Sequence, residues 1–347
     1  MSHASAGARH AQVRAARVVR AAGAALLLYS YLWGLWSDQR GVRLALVDET
    51  REWVSRPLGI GEDGGPLGIM LLLLASGFTS VRASGAGRSV RDRLVRVYLP
   101  LVVGAAVAAA LLLAGGDVLA GRDTGELSPA GAFGDVGLIN YLAPGAAPVL
   151  ALGWVVCVEL ITTLTGAVIS RSGGRAVWWT PLAQLAVVGV LAAFCDPSSP
   201  LALLLCFWPL AVIGQLVASG TGGAAPLWPL VLAGLAAWGL VAWTERAFPD
   251  LEGWWYGLTA CYAALFFTAL VRADLGSTRR SVGDWFASRS RWILVFTGTI
   301  GWALASALSA LPPLLALVIA SAATLLASEC GHRASTALRT APVRGQA

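Results

Sequence analysis

The chain has 347 residues, 57% of them hydrophobic and only 13% charged. Soluble domains carry about 25% charged residues, and so much apolar surface collapses in water, which excludes both an ordinary soluble domain and a disordered chain. The net charge of +6 does not mark a nucleic-acid binder, because the basic residues lie between apolar runs and not on one contiguous face. The composition fits a polytopic membrane bundle, and no nucleic acid is expected as a partner.

A bilayer core of about 30 Å takes about 20 apolar residues per helix. In chain order this predicts spans at 18–36, 66–81, 97–115, 149–170, 176–195, 199–219, 226–244, 254–271, 292–309 and 311–327. The first is not a cleaved leader, since no A-x-A-like site follows it. The fold class is therefore all-α, a transmembrane bundle of about ten spans. Residues 1–17 are expected as a disordered basic cytoplasmic tail, 18–327 as a single ten-span membrane domain, and 328–347 as a second cytoplasmic tail. Leu44–Val54 reads as an amphipathic interfacial helix beyond the first span, and residues 276–291 as another on the opposite face.

All 25 basic residues are Arg. They concentrate before the first span, in 82–96, 171–175 and 272–291, and after the last span; these segments share one side if ten spans alternate. The other side is richer in acid, as at Asp48, Glu62, Asp117 and Asp250. The positive-inside rule then makes both termini cytoplasmic, in a multi-pass protein of the plasma membrane. The five Cys form no CxxC, so no disulfide or metal framework follows. His3, His10 and His332 all fall in the expected tails.

Glu159 is the one carboxylate inside a predicted span. An isolated charge in hydrocarbon costs a few kcal/mol at least, so such a residue faces a cavity or a partner. It reads either as a cavity carboxylate that orients a substrate or as a structural acid locking two helices. Arg20, at the start of the first span, reads on composition as a snorkelling anchor. The Arg-rich stretch containing Arg88, Arg93 and Arg96 suits either topology signalling or bidentate phosphate binding. No phosphate-binding glycine loop is present.

Three segments line up in order: Arg20 leading AAGAALLLYSY; Ser76-Gly77-Phe78 followed by Arg93, Arg96, Tyr98 and Pro100; and Trp154 to Glu159 in LGWVVCVELITTLTG. Together they resemble the acyltransferase-3 family of integral membrane acyltransferases. The resemblance covers about the first half of the chain. It implies an acyl donor, usually acyl-coenzyme A, that docks from the cytoplasm as co-substrate, with no bound cofactor and no metal. The acyl group then passes to a hydroxyl of an extracytoplasmic glycan, lipid or natural-product acceptor. It also implies that Arg20, Ser76, Arg93, Arg96 and Trp154 contact substrate. The family's first-helix His, the expected base, corresponds here to Tyr31, leaving Tyr31 and Glu159 as catalytic candidates. Met70 stands where many relatives have an acid. The expectation is a through-bilayer passage bordered by Arg20, Tyr31, Ser76, Arg93, Arg96 and Glu159, with Arg93 and Arg96 at its cytoplasmic mouth. Two alternatives remain: a degenerate member acting as an accessory or transport protein, and an unrelated multi-span transporter.

Overall fold

Inside a bilayer no water is available to backbone N–H and C=O groups, so an apolar chain satisfies them within its own helices. The computed structural model describes residues 3–60, 63–82, 90–119, 128–143, 148–172, 176–196, 199–221, 226–253, 255–273 and 282–340, and among these there is no strand. Helix α1 (His3–Leu28) continues through a π-helical segment, Tyr29–Leu35, into Trp36–Gln39. The short α2 (Ala45–Thr50) follows, then α3 (Gly65–Arg82), α4 (Val90–Leu113) and the short α5 (Gly131–Val136). Next come α6 (Gly153–Ser172), α7 (Ala176–Phe194), α8 (Leu201–Thr221), α9 (Leu227–Ala247) and α10 (Tyr256–Arg272). Helix α11 (Val282–Phe296) runs on through π-helical Thr297–Gly301 to Ala307, and α12 (Pro313–Thr340) closes the described chain.

Each of the ten expected segments falls on one of these helices. Among the described residues seven helices are long and apolar enough to cross a membrane, and α7 and α10 contain shorter apolar stretches, Trp179–Phe194 and Tyr256–Arg272. Their outer faces carry exposed Val190, Phe194, Leu232, Phe266, Val318 and Leu326. A soluble protein does not present an apolar surface of that extent, and hydrocarbon requires it. The chain is a multi-pass helical membrane protein.

Two expectations are corrected and one is refined. Residues 3–17, expected as disordered, are the first turns of α1, because their Ala and Arg are strong helix formers. The C-terminal tail is helical to Thr340 as an extension of α12. Of the stretch 276–291, expected as a separate interfacial helix, residues 282–291 are the start of α11; the remainder lies outside the described residues. By contrast, Leu44–Val54 is largely helical, as α2 and its π-helical continuation Arg51–Ser55.

Helix α8 is axial: 83% of its apolar window is buried, against 28% for those of α9 and α12 at the rim. Association of helices in lipid gains little from hydrophobicity and depends on close packing, which small residues permit. Here a Cβ at Gly77 would run into the Ala211 carbonyl, and one at Gly214 into the Leu74 carbonyl, so α3 and α8 touch backbone to backbone. Gly23 and Gly68 do the same for α1 and α3, each facing the other's carbonyl oxygen. These two contacts fix the register of α3 between α1 and α8, and with it the position of Ser76. Deeper still, Gln215 of α8 donates to Thr165 of α6 (2.9 Å) and accepts from Gln184 of α7 (2.8 Å).

Candidate functional site

Four helices bring their polar side chains to one buried point. Arg20 of α1 donates from Nε to Ser290 Oγ (2.6 Å), from Nη1 to Ser76 Oγ (2.9 Å) and from Nη2 to Glu159 Oε1 (2.7 Å). Ser76 Oγ donates in turn to Glu159 Oε1. Arg291 of α11 donates from Nε to Glu159 Oε2 (2.5 Å). Glu159, Arg20, Ser76 and Ser290 are all buried, and Arg291 is about one-quarter exposed. Both carboxylate oxygens are thus occupied by a guanidinium, which is how a buried acid avoids the cost of an unpaired charge. Both readings of Glu159 are partly met: it is a structural tie among α1, α3, α6 and α11, and it lies against a cavity wall through Arg20.

That cavity has a volume of about 460 Å³. Its lining includes five arginines, Arg17, Arg20, Arg82, Arg96 and Arg291, with Asp284 and His332. Arg82 is held at its edge by a hydrogen bond to Thr221 Oγ1 (2.6 Å) and lies 5.7 Å from the Phe78 ring centroid. One wall is the end of α12, fastened by Arg289 Nε to Glu329 Oε2 at 2.5 Å. This clasp brings His332 and Ser335 to the cavity.

A second cavity of about 200 Å³ lies at the other end of the same helices. Tyr31, Pro66, Ile69, Trp154, Phe207 and Tyr256 line it. The rings interlock: Trp154 and Phe207 centroids are 5.2 Å apart, and Phe207 and Tyr256 are 5.0 Å apart edge to face. Tyr31 reaches it from the π-helical segment, a local widening often found at functional positions. Along α3 the order is Ile69 at the aromatic cavity, Ser76 in the polar cluster, then Thr79 and Arg82 at the basic cavity. The seven residues from Ile69 to Ser76 rise about 10 Å.

At the aromatic end, loops are pinned by charge. Arg51 donates to Asp63 from Nε (2.6 Å) and to Asp38 from Nη1 (2.9 Å), while Arg40 pairs with Asp117 at 2.9 Å. Asp135 of α5 is fully buried and accepts from Asn140 Nδ2 (2.8 Å) and Leu150 N (2.7 Å). Burial raises its carboxyl to about 6, despite those hydrogen bonds.

Of the expected site residues, the fold joins Arg20, Ser76 and Glu159 directly and sets Arg96 on the basic cavity with Arg20. Tyr31 and Trp154 share the aromatic cavity and do not meet Glu159. Arg93 lines neither cavity; it sits one turn nearer the start of α4 than Arg96, past the lining formed by Val95, Arg96, Leu99 and Pro100. Arg88 lies outside the described residues. Among the described residues two cavities flank the cluster, and Met70–Ala75 of α3, between them, are buried. Sequence reasoning missed Arg291, Ser290 and His332. Arg291 was visible only as one of a basic group, and His332 only as a tail residue. The Arg17–Arg20 spacing, one helical turn, was the available signal for a basic face on α1.

The fold and this cluster define the class: a multi-pass helical membrane protein with a buried Arg–Glu–Arg tie between a basic and an aromatic cavity. No family model, curated protein or solved structure matches the chain.

Proposed function

We propose that this protein is a membrane acyltransferase of the acyltransferase-3 kind, taking an acyl group from acyl-coenzyme A on the cytoplasmic side to a hydroxyl of an extracytoplasmic glycan, lipid or natural-product acceptor. The observation that carries the reading is the arginine-lined cavity that ends on the Arg20–Glu159 cluster. A donor with several phosphates needs such a set of guanidinium groups, which bind phosphate in a planar fork. Arg17, Arg82 and Arg96 are assigned to the donor's phosphates. In the transfer, the thioester C–S bond breaks and an ester C–O bond forms. The hydroxyl proton leaves with the coenzyme A thiol. Tyr31, Trp154 and Tyr256 are assigned to the acceptor, whose ring or chain would stack on their faces. Tyr31 carries the proton-transfer role that a His fills in the family, and the Arg20–Glu159 cluster closes the inner end of the donor cavity.

The topology belongs to the same proposal. Seven helices of spanning length, the two shorter apolar helices and the composite 282–307 segment make ten crossings. The end bearing Arg17, Arg82, Arg96 and Arg291 then faces the cytoplasm with both termini, in the plasma membrane.

A second reading is favoured by two observations. A tyrosine hydroxyl, with an ordinary pKa of about 10, is a poor base near neutrality, and the two cavities are separate. A family member that binds donor or acceptor without transferring, as an accessory or transport protein, has these features.

Membranes containing the protein are given labelled acyl-coenzyme A of several chain lengths and candidate acceptors. The transferase reading expects a covalent product that Arg96→Ala and Glu159→Gln abolish. Flux or binding without product, across all acceptors, establishes the second reading instead.

A further inference from the structure

Helices α8, α9 and α10 enclose a groove of about 380 Å³ that neither cavity above includes. Its rim is open to the lipid side, where Leu227, Val231, Leu235 and Leu265 are all about half or more exposed. Its inner end is formed by Ile213, Cys261 and Trp238. The indole N–H of Trp238 is already donated to the Gly257 carbonyl at 2.7 Å, so the ring gives the groove only its apolar face. Gly234 makes room in the wall: a Cβ placed there meets nothing within 4 Å.

Polarity is confined to the other end. Arg272, exposed, closes the groove there beside Thr221, with Thr268 one turn in. From Cys261 to Arg272 the eleven residues rise about 16 Å. That is half of a bilayer core of about 30 Å, so the groove is one leaflet deep with its cation at the level of the headgroups. The same end carries the basic cavity, since Arg82 lines that cavity and donates to Thr221, which lines the groove.

We propose that this groove is a site for one acyl chain of an anionic phospholipid whose phosphate rests on Arg272. An apolar slot of leaflet depth takes a chain, and a single arginine at its mouth selects the headgroup by charge. The site stands apart from acyl transfer and does not depend on it.

Native mass spectrometry of the full-length, delipidated protein tests it, with phosphatidylglycerol and phosphatidylcholine of matched chains as probes. One tightly held phosphatidylglycerol is expected, preferred over phosphatidylcholine by roughly fivefold, the ratio one basic side chain supplies at a membrane surface. Arg272→Gln should erase that preference, and Gly234→Leu, which fills the slot, should lower retention of both lipids. Equal retention of the two lipids by the native protein overturns the proposal, as does an unchanged preference in Arg272→Gln. So does a lipid-independent dimer, which would make the groove an interface between copies. Should Gly234→Leu fail to fold, Arg272→Gln decides alone, because its side chain is exposed.

Discussion

Arg20 and Arg291, from opposite ends of the chain, are bonded to opposite oxygens of the Glu159 carboxylate, at 2.7 and 2.5 Å. The pair neutralises a buried acid and leaves one net positive charge at the wall of the basic cavity. A structural tie and an electrostatic anchor for an anion are here the same set of atoms.

Glu159→Gln removes the carboxylate charge that both guanidinium groups share. Breaking a buried pair by removing one partner costs about 3–5 kcal/mol. The variant should lose thermal stability sharply in detergent, read as the midpoint of monodisperse protein after heating. Arg20→Lys should also be poorly tolerated, since an ammonium cannot reproduce three contacts in a fixed fork. A wild-type midpoint in Glu159→Gln would show that the tie contributes nothing to folding.

The glycine contacts predict a contrast between two substitutions of the same kind. Gly214→Ala puts a methyl against the Leu74 carbonyl, and overpacking of this sort costs about 1–3 kcal/mol. Gly239→Ala, on the rim helix α9, meets nothing within 4 Å and should be neutral or stabilising by about 0.4–1 kcal/mol through chain entropy. Equal melting of the two variants would remove the α3–α8 contact from the account of the core.

Asp135 gives a pH dependence with a definite sign. Its carboxyl lies near 6 in the fold against 3.8 for the free side chain, so between those values the native state holds more protons than the unfolded one. Stability of the 128–150 region is therefore greatest below about 3.8 and declines as pH rises toward 6. Hydrogen exchange of the Leu150 amide, corrected for intrinsic rate, should speed up over that interval. Asp135→Ala should flatten this dependence while lowering stability throughout, because two donors lose their acceptor.

Tyr31→His tests the aromatic cavity. If the protein transfers acyl groups with Tyr31 as a weak base, an imidazole there should raise the rate, by up to the 10²–10⁴ of a general base. If Tyr31 serves only to stack on the acceptor, the substitution should raise KM and leave kcat lower or unchanged. The labelled-product assay with Arg96→Ala as blank separates the two.

The sequence by itself determined the membrane character, the helical fold and the location of ten apolar segments, because hydropathy is a local property summed over one helix length. It also singled out Glu159, since an acid in an apolar run stands out without any partner being known; Arg20 and Ser76 were marked only by the resemblance of their segments to the acyltransferase-3 family. Only the tertiary structure decided that Arg291 shares Glu159, that His332 reaches the basic cavity, and that Tyr31 and Arg93 stand away from the cluster. Those outcomes depend on the register between helices distant in sequence, which Gly23, Gly68, Gly77 and Gly214 set through backbone contacts. They depend equally on the π-helical turn that re-aims Tyr31. Neither leaves a trace in hydropathy, because a glycine in an apolar run looks the same whether it faces lipid or another backbone.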